Sequence, residues 1–148
     1  MTLRYLLDTS IVSNPASRTP DTRLLERLDA DAPECAIGAP VWHELVFGCR
    51  RLPRGQRRVA LEGYLEDVVR RSFPILPYDA DAATWHGQER ARLEALGQSA
   101  PFVDGQIAAI ARVHELVLVT ANVKDYRRFR GLKVENWHTL RGVVPTGP

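Results

Sequence analysis

The sequence lacks the features that mark several large classes of protein. Its two cysteines, Cys35 and Cys49, are too few for a disulfide framework and do not have the paired spacing of a zinc site. No apolar run approaches the roughly 20 residues of a membrane-spanning helix. The opening run MTLRYLL is also too short for a secretory signal peptide. We therefore expect a cytoplasmic protein that does not interact with a membrane.

The sequence also lacks a large excess of one charge and lacks glycine-rich turns. The formal net charge is +2 over 148 residues, so any nucleic-acid site must be a local patch rather than a broadly basic surface. The stretch after the first apolar run, DTSIVSNP, has neither the glycines of a dinucleotide-binding turn nor those of a P-loop. Ser10 stands where a phosphatase of the haloacid-dehalogenase type needs a second aspartate. These absences argue against three common nucleotide and phosphate chemistries.

What the sequence does contain is a regular alternation of short apolar runs and longer amphipathic runs. The strand candidates, in chain order, are RYLLD, ECAIGA, FPILPYD, LVLVT and KVENW. Strands that alternate with helices indicate βαβ units and a mostly parallel sheet with helices on both faces. Because no repeat, low-complexity segment or linker interrupts the pattern, we expect one domain over residues 1–148, with residues 141–148 as a loose tail.

One amphipathic run, GQRRVALEGYLEDVVRRS, predicts a single strong helix. Its apolar stripe combines Val59, Tyr64, Leu65, Val68 and Val69, which we expect to face the core. The other main helix candidates are DTRLLERLDA, PVWHELVFGCRRL, DAATWHGQERARLEALG and PFVDGQIAAIARVHE.

Four acidic residues stand where apolar stretches end or are interrupted. Asp8 follows the first strand and Asp125 follows the last long strand, while Glu44 and Asp104 lie early in two apolar helices. Each has an ordinary structural explanation as a helix cap, an exposed helix position, a first-turn acid or the start of a turn. The carboxyl ends of parallel strands meet at one edge of a sheet, however, and ligands bind there. We therefore also expect the four acids to converge at that edge.

A group of carboxylates repels itself unless cations neutralise it. Oxygen ligands without cysteine or paired histidines favour Mg²⁺ or Mn²⁺ over zinc. The chemistry that uses such an arrangement is phosphoryl transfer, in which the ions bind the scissile phosphate and activate a water. The four acids therefore predict a Mg²⁺ or Mn²⁺ site that acts on phosphodiesters.

Four stretches resemble the signature stretches of PIN-domain ribonucleases, and in particular those of the VapC toxins of toxin–antitoxin pairs. In chain order they are LLDTSIVSN, VWHELVFGCRR, LGQSAPFVDGQIAAIA and LVLVTANVKDYRRFRGLKVENW. The resemblance covers nearly the whole chain. It implies a three-layer α/β/α sandwich around a mostly parallel sheet. It also implies Mg²⁺- or Mn²⁺-dependent endonucleolytic cleavage of RNA by an activated water, without a covalent enzyme intermediate.

The resemblance further implies a catalytic role for each acid. Asp8, Glu44 and Asp104 fall on three acidic positions of the family. Asp8 and Asp104 are expected to bind the metal directly, and Glu44 is expected to bind it directly or through water. The fourth position is either Asp125, as an outer, water-mediated partner, or Asn122, one turn earlier.

Polar and basic residues near Asp125 complete the expected site. Thr120 and Asn122 match family positions that line the pocket. Arg127 and Arg128 follow the Asp125 loop, where guanidinium groups would hold the phosphate backbone of an RNA substrate. The ordinary alternative for these arginines is a solvated surface.

Two protein partners are also implied by the resemblance. One is a second copy of the chain in a homodimer, and the other is a VapB-type antitoxin whose tail covers the cleft. We expect an apolar groove between the helices at 21–30 and 41–52 to receive an antitoxin helix.

The alternative functions are a catalytically inactive PIN fold that only binds RNA or a protein, and a nuclease of the same fold that acts on DNA. Because loss of acids is the usual mark of the inactive state and all four acids are present, we favour the ribonuclease.

Overall fold

Five short strands form one parallel sheet at the centre of the computed structural model, which describes residues 2–138. The strands are β1 (Tyr5–Leu7), β2 (Cys35–Gly38), β3 (Ile75–Leu76), β4 (Val117–Val119) and β5 (Val134–Glu135). Their order across the sheet is β3-β2-β1-β4-β5, and every neighbouring pair is parallel. Each strand lies within one of the five strand candidates, so the predicted parallel sheet is confirmed. The tail predicted at residues 141–148 lies outside the described residues.

Helices connect the strands and flank the sheet. They are α1 (Thr9–Val12), α2 (Thr22–Asp31), α3 (Ala39–Arg50), α4 (Gln56–Tyr64), α5 (Arg70–Ser72), α6 (Ala80–Ala95), α7 (Phe102–Val113) and α8 (Val123–Tyr126). Short 3-10 turns occupy Asn14–Ala16 and Ala32–Glu34. The result is the expected three-layer α/β/α sandwich. Within residues 2–138, no helix is both long enough and apolar enough to cross a membrane.

The central strands and α7 supply much of the apolar core. Leu6 and Leu7 of β1 and Leu118 of β4 are fully buried, as expected for parallel strands that are covered on both faces. Residues 107–111 of α7 are also all buried. Because α7 is anchored along this apolar stretch, its first turn is held in a defined position relative to the sheet.

The order of the strands reverses next to β1. The chain first adds β2 and β3 on one side of β1, and it then crosses over to add β4 and β5 on the other side. In parallel sheets, the crevice beyond the carboxyl ends of the strands at such a reversal is where ligands bind. Asp8 directly follows β1 and Thr120 directly follows β4. The fold therefore puts two polar residues at the position where a ligand site is expected.

One predicted helix differs from the structure. The run expected to form a single helix is divided, because Leu65–Val69 forms a π-helical turn between α4 and α5. A π-helical turn changes the phase of the side chains around the helix axis, so residues on its two sides do not share one stripe. Leu65 and Val69 are buried, but Val59 is 66% exposed and Val68 is 46% exposed. The predicted burial of Val59 and Val68 is therefore wrong.

Candidate active site

Asp8 lies where β1 ends and α1 begins, and it is only 6% exposed. Its Oδ1 accepts a hydrogen bond of 2.8 Å from the backbone N–H of Thr9, which makes Asp8 the N-cap of α1. Its Oδ2 accepts a hydrogen bond of 2.7 Å from the hydroxyl of Thr120. The carboxylate thus has a capping role through one oxygen, while its other oxygen contacts the loop that follows β4.

Thr120 and its neighbours connect the two loops at the strand-order reversal. Thr120 is fully buried, and its hydroxyl oxygen accepts a hydrogen bond of 3.0 Å from the backbone N–H of Asn122. The Oγ of Ser10 accepts a hydrogen bond of 3.2 Å from the backbone N–H of Ala121. These bonds hold the loop after β4 against the start of α1, so the structure brings Thr120 and the Asn122 backbone to Asp8.

Asp104 reaches the same region from the first turn of α7. The hydroxyl of Tyr126, at the end of α8, donates to Asp104 Oδ1 over 3.4 Å. Tyr126 is only 2% exposed. Burial raises the pKa of its phenol, and the nearby charges of Asp8 and Asp104 raise that pKa further. The phenol therefore stays protonated and serves as a donor to the acid.

The acids at this edge affect each other's ionisation. Burial is the main reason why the pKa of Asp8 is raised, and the charge of Asp125 adds to this effect, although the bonds from Thr120 and Thr9 oppose it. The pKa of Asp104 is raised first by burial and then by the charges of Asp8 and Asp125. Three carboxylates thus share one region of negative potential, which a cation would relieve.

An open cavity of about 480 Å³ lies beside Asp125. Its lining includes Asn122, Lys124, Asp125, Arg127 and Asn136. The Oδ1 of Asn136 accepts a hydrogen bond of 2.9 Å from the backbone N–H of His138, which orients the side-chain amide. Two cations and two amides next to an acid form a surface that suits a phosphate backbone and the polar edges of bases.

The two arginines predicted to bind substrate are placed differently. Arg127 is exposed and lines the cavity beside Asp125. The guanidinium of Arg128 instead donates to the carbonyl oxygens of Ser99 at 2.8 Å and Gln98 at 3.4 Å. The charge of Arg128 still lowers the pKa of Asp104, although burial and the neighbouring acids outweigh it. Arg127 thus remains available to a substrate, whereas Arg128 already holds the loop before α7.

Glu44 lies near the middle of α3 rather than at its first turn. With Thr9 and Ser13 it lines a second cavity of about 380 Å³, between α1, α3 and α4. It does not figure among the charges that act on Asp8 and Asp104 in the described chain. Across residues 2–138, the structure gathers no group of three or more His, Cys, Asp or Glu side chains that could hold a metal ion. The predicted ligand role of Glu44 therefore stays a prediction.

The second cavity is also a candidate surface for an antitoxin segment. The second cavity runs from α1 along α3 to α4, with Leu45, Leu52, Leu61 and Leu65 in its lining. Helices α1, α4 and α7 are the ones that pack closely on α3. The expected groove between the helices at 21–30 and 41–52 stays a prediction, and the cavity between α1, α3 and α4 is a further candidate for an antitoxin segment.

Two residues of the site were not predicted from the sequence. Ser10 holds the loop after β4, and Tyr126 holds Asp104. A signal for each was present, because Ser10 follows Asp8 by two residues and Tyr126 directly follows Asp125. Short polar side chains beyond the carboxyl end of a buried strand are candidates for such contacts. The role of Tyr126 is harder to predict from sequence, because it depends on a hydrogen bond from its buried hydroxyl to Asp104.

Comparison with known proteins identifies the class of fold to which this site belongs. The family model of the PIN domain matches residues 5–132. The chain therefore belongs to the PIN domain family, as the sequence stretches predicted.

Individual relatives narrow this class. The chain is 32% identical over 136 residues to the tRNA(fMet)-specific endonuclease VapC of Shigella flexneri, covering 91% of this chain and 98% of that protein. The structure of FitAcB from Neisseria gonorrhoeae is similar, with a TM-score of 0.83 and 29% identity over 91% of this chain and 99% of that one. DNA-bound VapBC from Salmonella typhimurium gives a TM-score of 0.78 and 27% identity, over 91% and 98%. Within the PIN domain family, the relatives of this chain thus include VapC proteins.

Proposed function

We propose that this chain is a VapC-type toxin that cleaves RNA phosphodiester bonds with the help of Mg²⁺ or Mn²⁺. The observation that carries the proposal is the buried Asp8 carboxylate, which shares its surroundings with Asp104 and Asp125. Such a concentration of negative charge at the strand-order reversal lowers the stability of the fold unless a bound ligand neutralises it. The names of the relatives, an endonuclease and members of toxin–antitoxin complexes, support the same reading.

The donor set of this region fits a hard divalent ion. Asp8, Asp104 and Asp125 offer oxygen ligands only, which suits Mg²⁺ or Mn²⁺ better than zinc. Asp8 and Asp104 would bind the ion, with Asp125 or Asn122 as the outer partner and Glu44 as a further direct or water-mediated ligand. When bound, the ion would neutralise the acids and supply Lewis-acid activation of water and phosphate.

The protein's own residues would orient the acids and hold the RNA. Thr120 and the Thr9 N–H fix both oxygens of Asp8, which sets the direction in which its lone pairs point. Arg127 and Lys124 line the cavity next to Asp125 and would attract the phosphate backbone. The amides of Asn122 and Asn136 would contact sugar or base edges in the same cavity. Binding of the strand across this cavity would bring a phosphodiester to Asp8 and Asp104.

A VapB-type antitoxin and a second copy of the chain are the proposed protein partners. Support comes from solved relatives that are described as VapBC and FitAcB complexes. The groove between α1, α3 and α4 begins at Thr9, next to Asp8. An antitoxin segment seated there would extend from this groove towards the acids, so that binding and inhibition would be coupled.

The proposal is tested by cleavage of RNA with purified chain that is free of antitoxin. We expect the wild type to cut RNA with Mg²⁺ or Mn²⁺ and to be inactive with EDTA. Asp8→Asn and Asp104→Asn should each abolish cleavage while the proteins remain folded. Asp67→Asn, at an exposed position, is the matched control and should retain activity.

The alternative of an inactive RNA-binding fold predicts a different result. It predicts RNA binding that does not need a divalent ion, and no cleavage products in the wild type. The lack of a group of three ligands within residues 2–138 is the observation that keeps this alternative in the test. Equal cleavage by the wild type and both Asn variants would overturn the proposed site.

A further inference from the structure

A second buried acid lies outside the proposed chemistry. Glu89, on α6, is only 6% exposed. Arg92, three residues further along the same helix, donates to Glu89 Oε1 from its Nε at 3.0 Å and also from its Nη2. The backbone N–H of Arg130 donates to the same oxygen at 2.9 Å. One carboxylate on α6 is thus bonded to a segment 41 residues later in the chain.

Arg92 extends this connection. Its Nη2 also donates to the backbone carbonyl of Arg128 at 2.9 Å. The Glu89–Arg92 pair therefore binds the main chain at two points, a carbonyl at Arg128 and an N–H at Arg130. We call this set of bonds the α6 clamp. It holds a segment that has no regular secondary structure of its own between α8 and β5.

The clamped segment is next to the acids of the proposed active site. It begins directly after α8, which carries Asp125 and Tyr126. The guanidinium of Arg128 reaches the carbonyl of Ser99 in the loop before α7, and its charge acts on Asp104. The α6 clamp thus fixes the backbone from which Arg128 extends towards the helix that carries Asp104.

The Glu89–Arg92 ion pair is not expected to add much to the stability of the fold. Taking the Glu89 carboxylate out of water costs about as much as its attraction to the partly exposed Arg92 returns, and apolar residues of similar volume often stabilise a protein as well or better. What apolar residues cannot do is bind a specific carbonyl and a specific N–H. The distinctive property of the Glu89–Arg92 pair is therefore that it fixes the geometry of the main chain at Arg128 and Arg130.

We propose that Glu89 and Arg92 are positioning residues for the cleavage reaction, because they fix the segment 128–130 and so place Arg128 and the end of α8 relative to Asp104. This inference rests on the proposed function. It assigns no contact with RNA to either residue, since both act through the main chain of the segment. Small displacements of groups around a reacting phosphate have large effects on rate.

The test replaces both partners with leucine. In Glu89→Leu/Arg92→Leu no buried charge is left unpaired, so the variant should fold and melt close to the wild type. Its kcat for RNA cleavage should fall about tenfold with KM changed by less than about twofold. Glu89→Gln keeps an acceptor for the Arg130 N–H and should recover part of the lost kcat. Glu66→Leu/Arg70→Leu removes an exposed ion pair of another helical turn and should leave kcat unchanged.

Amide hydrogen exchange separates this inference from the proposed function. The Arg130 N–H should exchange at least about tenfold faster in the double leucine variant than in the wild type, whether or not RNA is present. Faster exchange with unchanged kcat would overturn the positioning role, and unchanged exchange would overturn the clamp itself. A wild-type chain that cuts no RNA would overturn the proposed function, while the exchange rate of Arg130 would still report on the clamp.

Discussion

Asp8 and Glu89 are two acids with equally small exposed fractions and opposite shifts in pKa. Each is 6% exposed. The pKa of Asp8 is raised, because burial outweighs its hydrogen bonds and Asp125 adds a like charge. The pKa of Glu89 is lowered, because the hydrogen bond from Arg92 outweighs burial and the Arg130 N–H assists. Burial is thus the largest influence on the pKa of Asp8, whereas the hydrogen bond from Arg92 is the largest influence on the pKa of Glu89.

The difference separates a structural acid from a candidate ligand site. Glu89 has a cation within the protein, so its charge is balanced when the chain has folded. The bonds to Asp8 come from neutral groups, the Thr120 hydroxyl and the Thr9 N–H, and the charge that acts on its pKa is that of another acid, Asp125. An acid that is oriented by donors but not neutralised is what a cation site requires. The comparison therefore supports the proposal of a cation at Asp8 rather than at Glu89.

The largest expected effect concerns the neutral partner of Asp8. Thr120→Val removes the hydroxyl that orients Oδ2, and loss of such an orienting partner typically costs about 10- to 100-fold in activity or metal affinity. We expect RNA cleavage to fall by about that factor, measured as kcat/KM at saturating Mn²⁺. Thr84→Val is the matched control, because the Thr84 hydroxyl is exposed and bonds to the carbonyl of Ala80 in its own helix. Unchanged cleavage in Thr120→Val would show that Asp8 needs no orientation from Thr120.

The next prediction concerns divalent ions and thermal stability. A ligand at about 100 times its Kd stabilises the folded state by about 2.7 kcal/mol, which for a chain of this size is a rise in Tm of roughly 8 °C. We expect Mg²⁺ or Mn²⁺ to raise the Tm of the wild type and of Glu89→Gln, but not that of Asp8→Asn. Salt of matched ionic strength without a divalent ion is the control. An equal rise in all three proteins would mean that the ions bind somewhere other than Asp8.

A third prediction removes the charged partner of Glu89, so that Glu89, like Asp8, is left without a cation. Arg92→Leu leaves a buried carboxylate without its cation, which is the costly way to break such a pair. Because Arg92 is partly exposed, the loss should be smaller than for a fully buried pair, and we expect Tm to fall by about 5 °C, measured by circular dichroism in EDTA. Asp8→Asn under the same conditions removes an unbalanced charge and should leave Tm unchanged or higher. A greater loss in Asp8→Asn than in Arg92→Leu would contradict the distinction between the two acids.

The sequence was sufficient to predict the sheet and the meeting of Asp8, Thr120 and Asp125 at one edge. The reason is that strand ends in a parallel sheet share a common edge, so residues that follow β1 and β4 become neighbours whatever the details of packing. The place of Asp104 early in its helix extended that expectation to a third acid. Family resemblance added the PIN domain, which the comparisons confirm.

Other features depended on tertiary contacts that no local pattern reveals. Glu89 and Arg92 look like an ordinary exposed pair three residues apart on a helix. In the structure, the segment at 128–130 returns to this helix, and its main chain bonds to both side chains. The exposed faces at Val59 and Val68 likewise follow from a π-helical turn, which helical periodicity alone does not predict.

The smallest expected effect concerns His86, a third buried titratable group, on the same helix as Glu89. It is 3% exposed, its Nδ1 shares a hydrogen bond of 2.8 Å with the hydroxyl of Tyr78, and its ring lies against Gly105, next to Asp104. Burial lowers the pKa of His86, and the charge of Arg90 lowers it further. The shift of His86, like that of Asp8, favours the neutral form of the group, whereas the shift of Glu89 favours the charged form.

The sign of the pH effect follows from that lowered pKa. The unfolded chain takes up a proton on His86 at a higher pH than the folded chain does, so the stability contributed by neutral His86 is complete above about pH 6.5. It is lost as the pH falls through the lowered folded pKa. We expect the free energy of unfolding in guanidinium to fall more from pH 7 to pH 5 in the wild type than in His86→Phe. His114→Gln, at an exposed position, should keep the wild-type slope. Identical slopes in all three proteins would mean that His86 gains its proton as readily in the folded chain as in the unfolded one, and its burial would then impose no preference for the neutral form.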